Sequence, residues 1–275
     1  MTETSDYLQY GGGRIADGID AQQTLEYLRG LGVTGGDLQQ ARESLRTRDD
    51  SRFVFEPTDS RYCDFCFARL MGGEYDQLKD GRDRCIRCSR TVLRTNGQFI
   101  ELFQQARQNL EAAFDVRLRV PSMIRMVNAK EIARRTGEVF QPTPGVDARV
   151  LGFASKTHGG YSLFLENGSP KLAAIATVAH ELTHIWQYST WDEGALLGHY
   201  GQQRRLEIYE GMATWAQIQY LFFIKEFEFA KRHEAYALQR TDEYGVGLGL
   251  YLERYPLNRD GGVDQDTPFN NPLPL

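Results

Sequence analysis

The chain has 275 residues, of which 41% are hydrophobic and 25% are charged. This length and composition suffice for one large folded domain or two smaller ones, so disorder of the whole chain is excluded. The 37 acidic residues outnumber the 32 basic ones and give a formal charge of −5. Such a balance provides no overall attraction for a nucleic acid or an anionic membrane surface, so we expect neither as a partner.

No stretch of the sequence predicts a membrane span or a secretory signal. The longest apolar run, at residues 172–179, is too short to cross a bilayer, and the first twenty residues lack a basic start and an apolar centre. We therefore expect a cytoplasmic protein. In a reducing compartment its four cysteines are more often metal ligands than disulfide partners.

The first third of the chain has little regular apolar periodicity. Residues 1–60 are polar and predict a loosely packed lead with two short helices, at 21–30 and 37–47. Residues 61–95 contain all four cysteines and few periodic apolar side chains, as expected of a small module that a metal ion holds together in place of a core. Apolar residues at helical spacing then predict a helix over 99–114.

The next segments predict a small sheet followed by long helices. Four β-rich runs are expected to form strands, at 116–120, 123–127, 149–154 and 160–165. A helix is expected to begin with Ser169 as its cap and Pro170 as its first residue and to reach about residue 188. Another begins near 202 and continues to about 238, with room for a break. Residues 96–255 thus form the second domain, and the polar residues 256–275 an extended or mobile tail.

The cysteines form two matched pairs, Cys63 with Cys66 and Cys85 with Cys88, in the pattern C-x2-C-x18-C-x2-C. Each pair directs two thiolates at one centre, and two pairs complete the closed tetrahedral shell that suits a structural zinc ion. A redox pair or a disulfide pair is the alternative. A closed four-thiolate site does no chemistry, so the module is also a candidate surface for a protein partner.

His180, Glu181 and His184 form the pattern HExxH. On a helix, residues four apart lie on one face, so both imidazoles can bind one zinc ion while Glu181 reaches a water molecule on the metal. The same pattern on a solvated helix face, without a metal, is the alternative. A catalytic zinc ion has three protein ligands and an open position, so a third ligand must follow.

The best candidate for that third ligand is Glu210, which Gly211 follows on the next predicted helix. The glycine removes bulk where the two helices would cross, and the intervening residues suffice for a loop and a reversal of direction. Glu207 lies one turn earlier on the same face. It is the alternative ligand, or a partner that orients one of the histidines.

The order of these motifs resembles one known family. The string YCDFCFARLMGGEYDQLKDGRDRCIRCSRTV at residues 62–92 is followed by AHELTHIWQ and then by YEGMATWAQIQYL. Over residues 61–255 the chain is similar to the plant LIM-domain, ubiquitin-activated zinc peptidases that restrict organ growth. The resemblance implies an α+β protein in which a LIM-like or zinc-ribbon module precedes a gluzincin-type zincin domain. It assigns the catalytic metal to His180, His184 and Glu210, with Glu181 beside them.

The chain departs from that family in two respects. It can form only one half of a double-zinc LIM domain, because no second quartet of cysteines and histidines exists. Residues 38–44 also lack the acidic run of a ubiquitin-interacting helix, which puts regulation by ubiquitin in doubt. The chain therefore resembles a reduced relative, such as a bacterial one, with a single four-cysteine zinc module.

These motifs predict a zinc metallopeptidase that hydrolyses peptide bonds in protein substrates, with Glu181 as general base on the zinc-bound water and one further zinc ion in a structural role. Tyr244 resembles a Tyr-Gly pair of the family and is our first candidate for the donor to the oxyanion. His233 and Tyr236 come next, and packing in the core is the alternative for all three. Residues 160–165 are expected to be an edge strand that pairs with extended substrate. An interaction adaptor with a silenced peptidase domain is the competing function.

Overall fold

The computed structural model of the chain describes residues 61–70, 75–136, 151–157, 160–262 and 264–272. Helices and small sheets occur together in these residues, which confirms the predicted α+β class. The two helices predicted within residues 1–60 lie outside the described part of the chain. Among the described helices, none has both the length and the apolar character needed to cross a bilayer.

The four cysteines lie in a module of two small hairpins and one short helix. Strand β1 (Arg61–Tyr62) pairs antiparallel with β2 (Arg69–Leu70), and β3 (Tyr75–Gln77) pairs antiparallel with β4 (Asp83–Cys85). Helix α1 (Ile86–Arg90) follows β4 directly. Each hairpin therefore brings one end of its strands to the cysteine cluster.

The helix predicted over 99–114 is confirmed as α2 (Asn96–Phe114), which begins three residues earlier. The hydroxyl of Thr95 accepts a hydrogen bond from the Gln98 amide, and the Gln98 side chain accepts one from the Thr95 amide, both at 3.2 Å. This reciprocal pair satisfies two amides that a helix start leaves without partners. Local capping thus sets the boundary that periodicity alone misses.

The strand predicted at 116–120 is wrong, since these residues form no ladder. Helix α2 ends at Asp115, whose φ is 49°. The chain then folds back onto Glu111, whose carbonyl accepts from the Val116 amide at 3.2 Å and whose carboxylate accepts from the Leu118 amide at 3.0 Å. These bonds occupy the backbone groups that a strand would need.

A three-stranded sheet has the order β5 (Met123–Val127), β7 (Gly160–Glu166) and β6 (Gly152–Thr157), and α3 (Ala129–Thr136) follows β5. Strand β7 is parallel to β5 and antiparallel to β6. The strand at 123–127 is confirmed, and the one predicted at 149–154 lies three residues further on. The prediction of an edge strand at 160–165 is wrong: this strand is central and buried along almost its whole length, and β5 and β6 are the two edge strands.

Four helices complete the fold: α4 (Lys171–Thr190), α5 (Glu193–Phe223), α6 (Phe227–Gln239) and α7 (Glu243–Arg254). The predicted break within the second long helix is confirmed between α5 and α6. Helix α5 starts earlier than expected, with a kink at Gly201, where φ is 75°. Helix α7 was not predicted, and its three glycines lower the helix propensity of this segment.

The start of α4 differs from the prediction. Pro170 is the residue before the helix and not its first residue, and no side chain caps it. The Ser169 hydroxyl instead donates to the Glu166 carbonyl at 2.8 Å. The Lys171 amide donates to the Thr91 carbonyl at 2.9 Å, so the four-cysteine module contributes a partner to the first turn of α4.

Residues 256–262 and 264–272 form no helix or strand, as expected, but some of their side chains pack against the helices. Phe269 is 6% exposed and stacks on Phe114 at 4.7 Å between ring centroids. The Trp215 indole donates to the Tyr255 carbonyl at 2.7 Å, where this segment begins. The C-terminal segment therefore belongs to the core.

The module is joined to the sheet by a buried ion pair. The Arg82 guanidinium contacts Glu166, at the end of β7, through both of its terminal nitrogens, one of them at 3.2 Å. The side chains of Arg82 and Glu166 are only 4% and 7% exposed. Phe65, Phe67 and Leu93 also belong to the same buried cluster as the helices. The module thus shares the core of the second domain and does not depend on a metal ion alone.

We expect Arg82→Leu to lower the free energy of unfolding by about 3–5 kcal/mol, because it leaves the Glu166 carboxylate buried without its cation. Arg87→Leu, at a pair with Glu226 in which Arg87 is 56% exposed, should cost less than about 1 kcal/mol. Urea unfolding measures both. Adding Glu166→Leu to Arg82→Leu should restore part of the stability, because the unpaired buried charge is then removed. Equal losses of stability for Arg82→Leu and Arg87→Leu would contradict the role of the buried pair.

Candidate metal centre

Helix α4 presents both histidines of the HExxH pattern on one buried face. His180 Nε2 and His184 Nε2 lie 3.0 Å apart, and the two residues are 8% and 6% exposed. Glu210, on α5, brings its Oε2 to 3.1 Å from His180 Nε2 and 3.3 Å from His184 Nε2. Three ligand atoms therefore converge on one point, as the sequence predicts.

Directly after Glu210, α5 and α7 cross with almost no space between their backbones. A Cβ on Gly211 would lie 2.6 Å from the Gly247 Cα, and a Cβ on Gly247 would lie 2.7 Å from the Gly211 Cα. Either methyl group would overlap backbone and push the helices apart. Gly211 does allow a close helix crossing, as predicted. The helix that crosses α5 at this glycine is α7, however, and not α4, which carries the histidines.

The charges of the three groups are complementary. Burial alone lowers the pKa of His184, but the Glu210 carboxylate, together with Glu181 and the Gln187 side chain, reverses this effect, so the net shift is upward. Burial alone raises the pKa of Glu210, and the two histidines reverse that shift and hold it well below its usual range. Glu210 is therefore a carboxylate, and with two imidazole nitrogens it makes the donor set of a zinc site with an open position.

Gln187 orients His184. Its Oε1 accepts a hydrogen bond from His184 Nδ1 at 2.8 Å, and its Nε2 donates to the Tyr209 carbonyl at 3.0 Å. An amide oxygen can only accept, so Nδ1 carries a proton, which makes Nε2 the nitrogen that can bind a metal. The sequence reasoning missed Gln187, although its position three residues after His184 on the same helix could have revealed it.

Glu207 does not take the orienting role considered for it. Its carboxylate accepts from Arg204 at 3.1 Å and from Gln203 at 3.3 Å, both on α5 itself. The group of side chains that could hold an ion contains Glu210 and not Glu207. Glu207 is 2% exposed, so its pairing with Arg204 compensates the burial of its charge.

Glu181 lies beside this group and is held by the sheet. Its Oε2 accepts a hydrogen bond from the Ala154 amide on β6 at 2.7 Å. Burial raises the pKa of Glu181, and the Glu210 carboxylate adds to the rise, while the two histidines and the Ala154 amide oppose it. A raised pKa suits a carboxylate that must take up and release a proton near neutral pH.

Tyr244, the first candidate donor, faces the metal-binding group. Its ring stacks along His180 at 5.8 Å, and the Arg240 guanidinium lies 4.1 Å from its centroid. Burial, together with the Glu210 and Glu181 carboxylates, raises the pKa of Tyr244 well above its usual value, so its hydroxyl keeps its proton and can donate. Gly245 makes this position possible, since a Cβ there would lie 2.7 Å from the Ala237 carbonyl oxygen.

The two other candidate donors lie on α6. Burial lowers the pKa of His233 to about 3, with His180, Arg240 and Arg232 adding to the effect, so this imidazole is neutral. Its Nδ1 is buried and has no hydrogen-bond partner among the described residues. Tyr236 stacks on Phe67 at 4.5 Å and is 7% exposed, which favours packing over donation for this side chain.

The four cysteines form a second group that could hold an ion. Their sulfur atoms all lie within 4.8 Å of one another, and none is in a disulfide. The Cys85 amide donates to Cys63 Sγ and the Cys88 amide to Cys85 Sγ, both at 3.4 Å. Amides aimed at sulfur stabilise thiolates, which are the form that binds metal. This closed set of four sulfur ligands fits zinc.

Comparison of the chain with family models, with curated proteins and with solved structures gives no match to any of them. The resemblance to the LIM-domain peptidases therefore stays a prediction, and so does the gluzincin-type fold. Function must accordingly be inferred from the geometry of the site itself.

The glycine crossing offers a matched pair of substitutions on one helix. Gly247→Ala should lower the free energy of unfolding by about 1–3 kcal/mol and weaken metal binding at Glu210, because the added methyl meets the backbone of α5. Gly249→Ala should raise the free energy of unfolding by about 0.5–1 kcal/mol, since Gly249 is exposed with nothing within 4 Å of an added Cβ. Thermal unfolding and zinc titration measure both effects, and a harmless Gly247→Ala would contradict the proposed crossing.

A second comparison tests which residue orients the histidines. Gln187→Leu should weaken metal binding about 10- to 100-fold with the fold retained, because His184 loses the acceptor that fixes its tautomer. Glu207→Gln should change metal affinity far less, since its contacts are with Arg204 and Gln203. Competition with a zinc chelator measures the affinities. The reverse order of effects would return the orienting role to Glu207.

Proposed function

We propose that the chain is a zinc-dependent peptidase that hydrolyses peptide bonds in protein or peptide substrates. One observation carries the proposal: two imidazoles and a carboxylate converge on one point, and a second carboxylate, Glu181, lies beside them in a hydrogen bond to a sheet edge. Structural metal sites are usually closed by four protein ligands. A three-ligand set with an adjacent buried base is the arrangement that hydrolysis requires.

His180, His184 and Glu210 would hold the metal ion. When bound, a zinc ion supplies a Lewis acid that polarises a carbonyl group and lowers the pKa of a water molecule. Glu181 would accept a proton from the attacking water and return it to the leaving nitrogen, a role that its raised pKa supports. The Tyr244 hydroxyl, which keeps its proton at neutral pH, would donate to the oxygen on which negative charge develops.

The side of β6 that faces away from β7 supports an extended peptide as the substrate, because no other strand among the described residues pairs with it. The Glu166 amide donates to the Leu151 carbonyl at 2.7 Å, so the backbone of residue 151 is directed toward β7. In an antiparallel ladder, residues whose backbone groups bond to the partner strand alternate with residues whose backbone groups are directed away from it. Ala154 faces outward, since its amide donates to Glu181 and not to β7. The outward backbone groups of β6 could therefore pair with a substrate strand next to Glu181. Strand β6 then takes the role that the sequence analysis gives to residues 160–165, which form the central strand.

Two isosteric substitutions test the proposal. Glu181→Gln should keep the fold and two zinc ions per chain, one in each proposed centre, while turnover falls about 10²- to 10⁴-fold because the proton acceptor is lost. Glu210→Gln should lose zinc from the His-Glu centre together with activity, because a neutral amide is a poor zinc ligand. Elemental analysis gives the zinc content, and cleavage profiling of a peptide library gives activity and substrate class.

Three outcomes would contradict parts of this proposal. Wild-type turnover in Glu181→Gln, on a peptide that the wild type cleaves, would refute the role of Glu181. Loss of zinc in Glu181→Gln but not in Glu210→Gln would reverse the roles of the two carboxylates. A zinc-loaded wild type that cleaves no peptide in the library would favour the interaction adaptor, in which the four-cysteine module binds a protein partner.

A further inference from the structure

A continuous stack of side chains connects the four-cysteine module to the His-Glu centre. Phe67 follows the first cysteine pair, and its ring stacks on Tyr236 at 4.5 Å with only 14° between the planes. The Arg240 guanidinium lies 5.8 Å from the Tyr236 centroid and 4.1 Å from that of Tyr244. Tyr244 in turn stacks along His180 at 5.8 Å. We refer to Phe67, Tyr236, Arg240 and Tyr244 as the ring stack.

Phe67 adopts a backbone conformation that is unfavourable for its residue type. Its φ is 56°, in the left-handed region that glycine occupies without a steric cost. The turn is tight, because the Phe67 amide donates to the Cys63 carbonyl at 2.9 Å. A strained residue persists only where the surrounding structure holds it, and such residues cluster at functional sites. The phenyl ring is therefore present at a position where the backbone alone would favour glycine.

Two further contacts fix the ring against α6. The Arg232 side chain donates to the Cys66 carbonyl at 2.8 Å. This bond connects α6 to the turn at residues 63–67, which carries Phe67 and is called the knuckle below. The edge of the Phe67 ring meets His233 at 5.1 Å, and Phe229 contacts the same imidazole from α6 at 5.1 Å. The knuckle thus packs along α6, the helix that ends just before Arg240, whose guanidinium lies on Tyr244.

The far end of the ring stack is anchored in a different way. The carboxylate of Asp242 accepts from Arg240 Nε at 2.9 and 3.0 Å, so an ion pair holds the guanidinium while both tyrosine rings lie within cation–π distance of it. The position of the guanidinium then depends on Asp242 and on both rings. A shift of the Tyr236 ring frees Arg240 to tilt, and Tyr244 loses part of the surface on which its ring rests.

We propose that Phe67 is a positioning residue: through Tyr236 and Arg240 it holds the Tyr244 ring over His180 and thereby places the Tyr244 hydroxyl, so that the four-cysteine module helps to set the geometry of the His-Glu centre. This inference rests on the proposed peptidase function for its kinetic readout. The stack consists of side chains of this chain alone, so it can also be tested by a measurement that needs no catalytic turnover.

The main test variant is Phe67→Gly, which removes the ring and suits the left-handed backbone, so the knuckle is retained. Phe67→Leu, which keeps an apolar side chain, is the second variant. The control is Phe65→Leu, at a buried aromatic of the same knuckle that contacts Arg82. We expect both Phe67 variants to keep two zinc ions and to lower kcat by roughly 2- to 30-fold, the range typical of coupled positions, with KM little changed. Phe65→Leu should leave kcat at the wild-type value.

The measurement that needs no activity is the NMR resonance of Arg240 Nε–H, assigned with Arg240→Lys. Its chemical shift depends on the two rings that lie near the guanidinium, so Phe67→Gly should move it and Phe65→Leu should not. If the wild type has no peptidase activity, this resonance still decides whether Phe67 sets the position of Arg240. An unmoved resonance in Phe67→Gly would overturn the inference whatever the activity.

A double-mutant cycle with Tyr244→Phe tests the route of the effect. If Phe67 acts through the Tyr244 hydroxyl, Phe67→Gly should lower kcat in the wild-type background but change it less than about twofold in the Tyr244→Phe background. Equal reductions in both backgrounds would show that Phe67 acts elsewhere and would overturn the proposal. A drop in kcat for Phe65→Leu as large as that for Phe67→Gly would also overturn it, since general packing of the module would then explain both.

Discussion

Contact between helices α5 and α7 without intervening side chains is the constraint on which the rest of the site depends. Gly211 and Gly247 face each other at this crossing, and a Cβ on either would overlap the other's backbone. Because Glu210 directly precedes Gly211, the crossing sets how far its carboxylate extends toward the histidines of α4. Tyr244 lies one turn before Gly247, so the same crossing also sets the approach of this ring to His180. The positions of the candidate ligand Glu210 and the candidate donor Tyr244 therefore depend on the same helix crossing.

The four-cysteine module is part of the architecture around this centre. It pairs with the first turn of α4 through Thr91, it is joined to β7 by the buried Arg82–Glu166 pair, and it packs on α6 through Phe67. These three contacts involve the helix of the histidines, the central strand and the helix that precedes Arg240. A buried ion pair offsets desolvation only with good geometry, so this one favours a single docked arrangement. The cysteine cluster and the His-Glu centre are then physically connected.

The sequence-based predictions failed where backbone contacts over long distances decided the outcome. Residues 160–165 have the composition of a strand, but whether a strand is central or at an edge depends on its neighbours, and only the pairing of β5 with β7 decides it. The sequence analysis does not predict α7, whose glycines lower its helix propensity, although two of them are what allow the helix to pack. The contact of Gln187 with His184 could have been predicted, since the spacing of the two residues places them on the same helix face. Nothing in the sequence indicates that the Ala154 amide donates to Glu181.

The sequence by itself determined the elements whose chemistry is local. The spacing of His180 and His184 puts two imidazoles on one helix face, the paired cysteines direct four sulfurs at one point, and the apolar period of α2 predicts its helix, because each depends only on residues a few positions apart. The tertiary structure decided which carboxylate completes the His-Glu group, which strand of the sheet is central and how the module contacts α6. Those contacts join residues that are far apart in the chain, and their geometry depends on helix crossings and strand order, which no local pattern encodes.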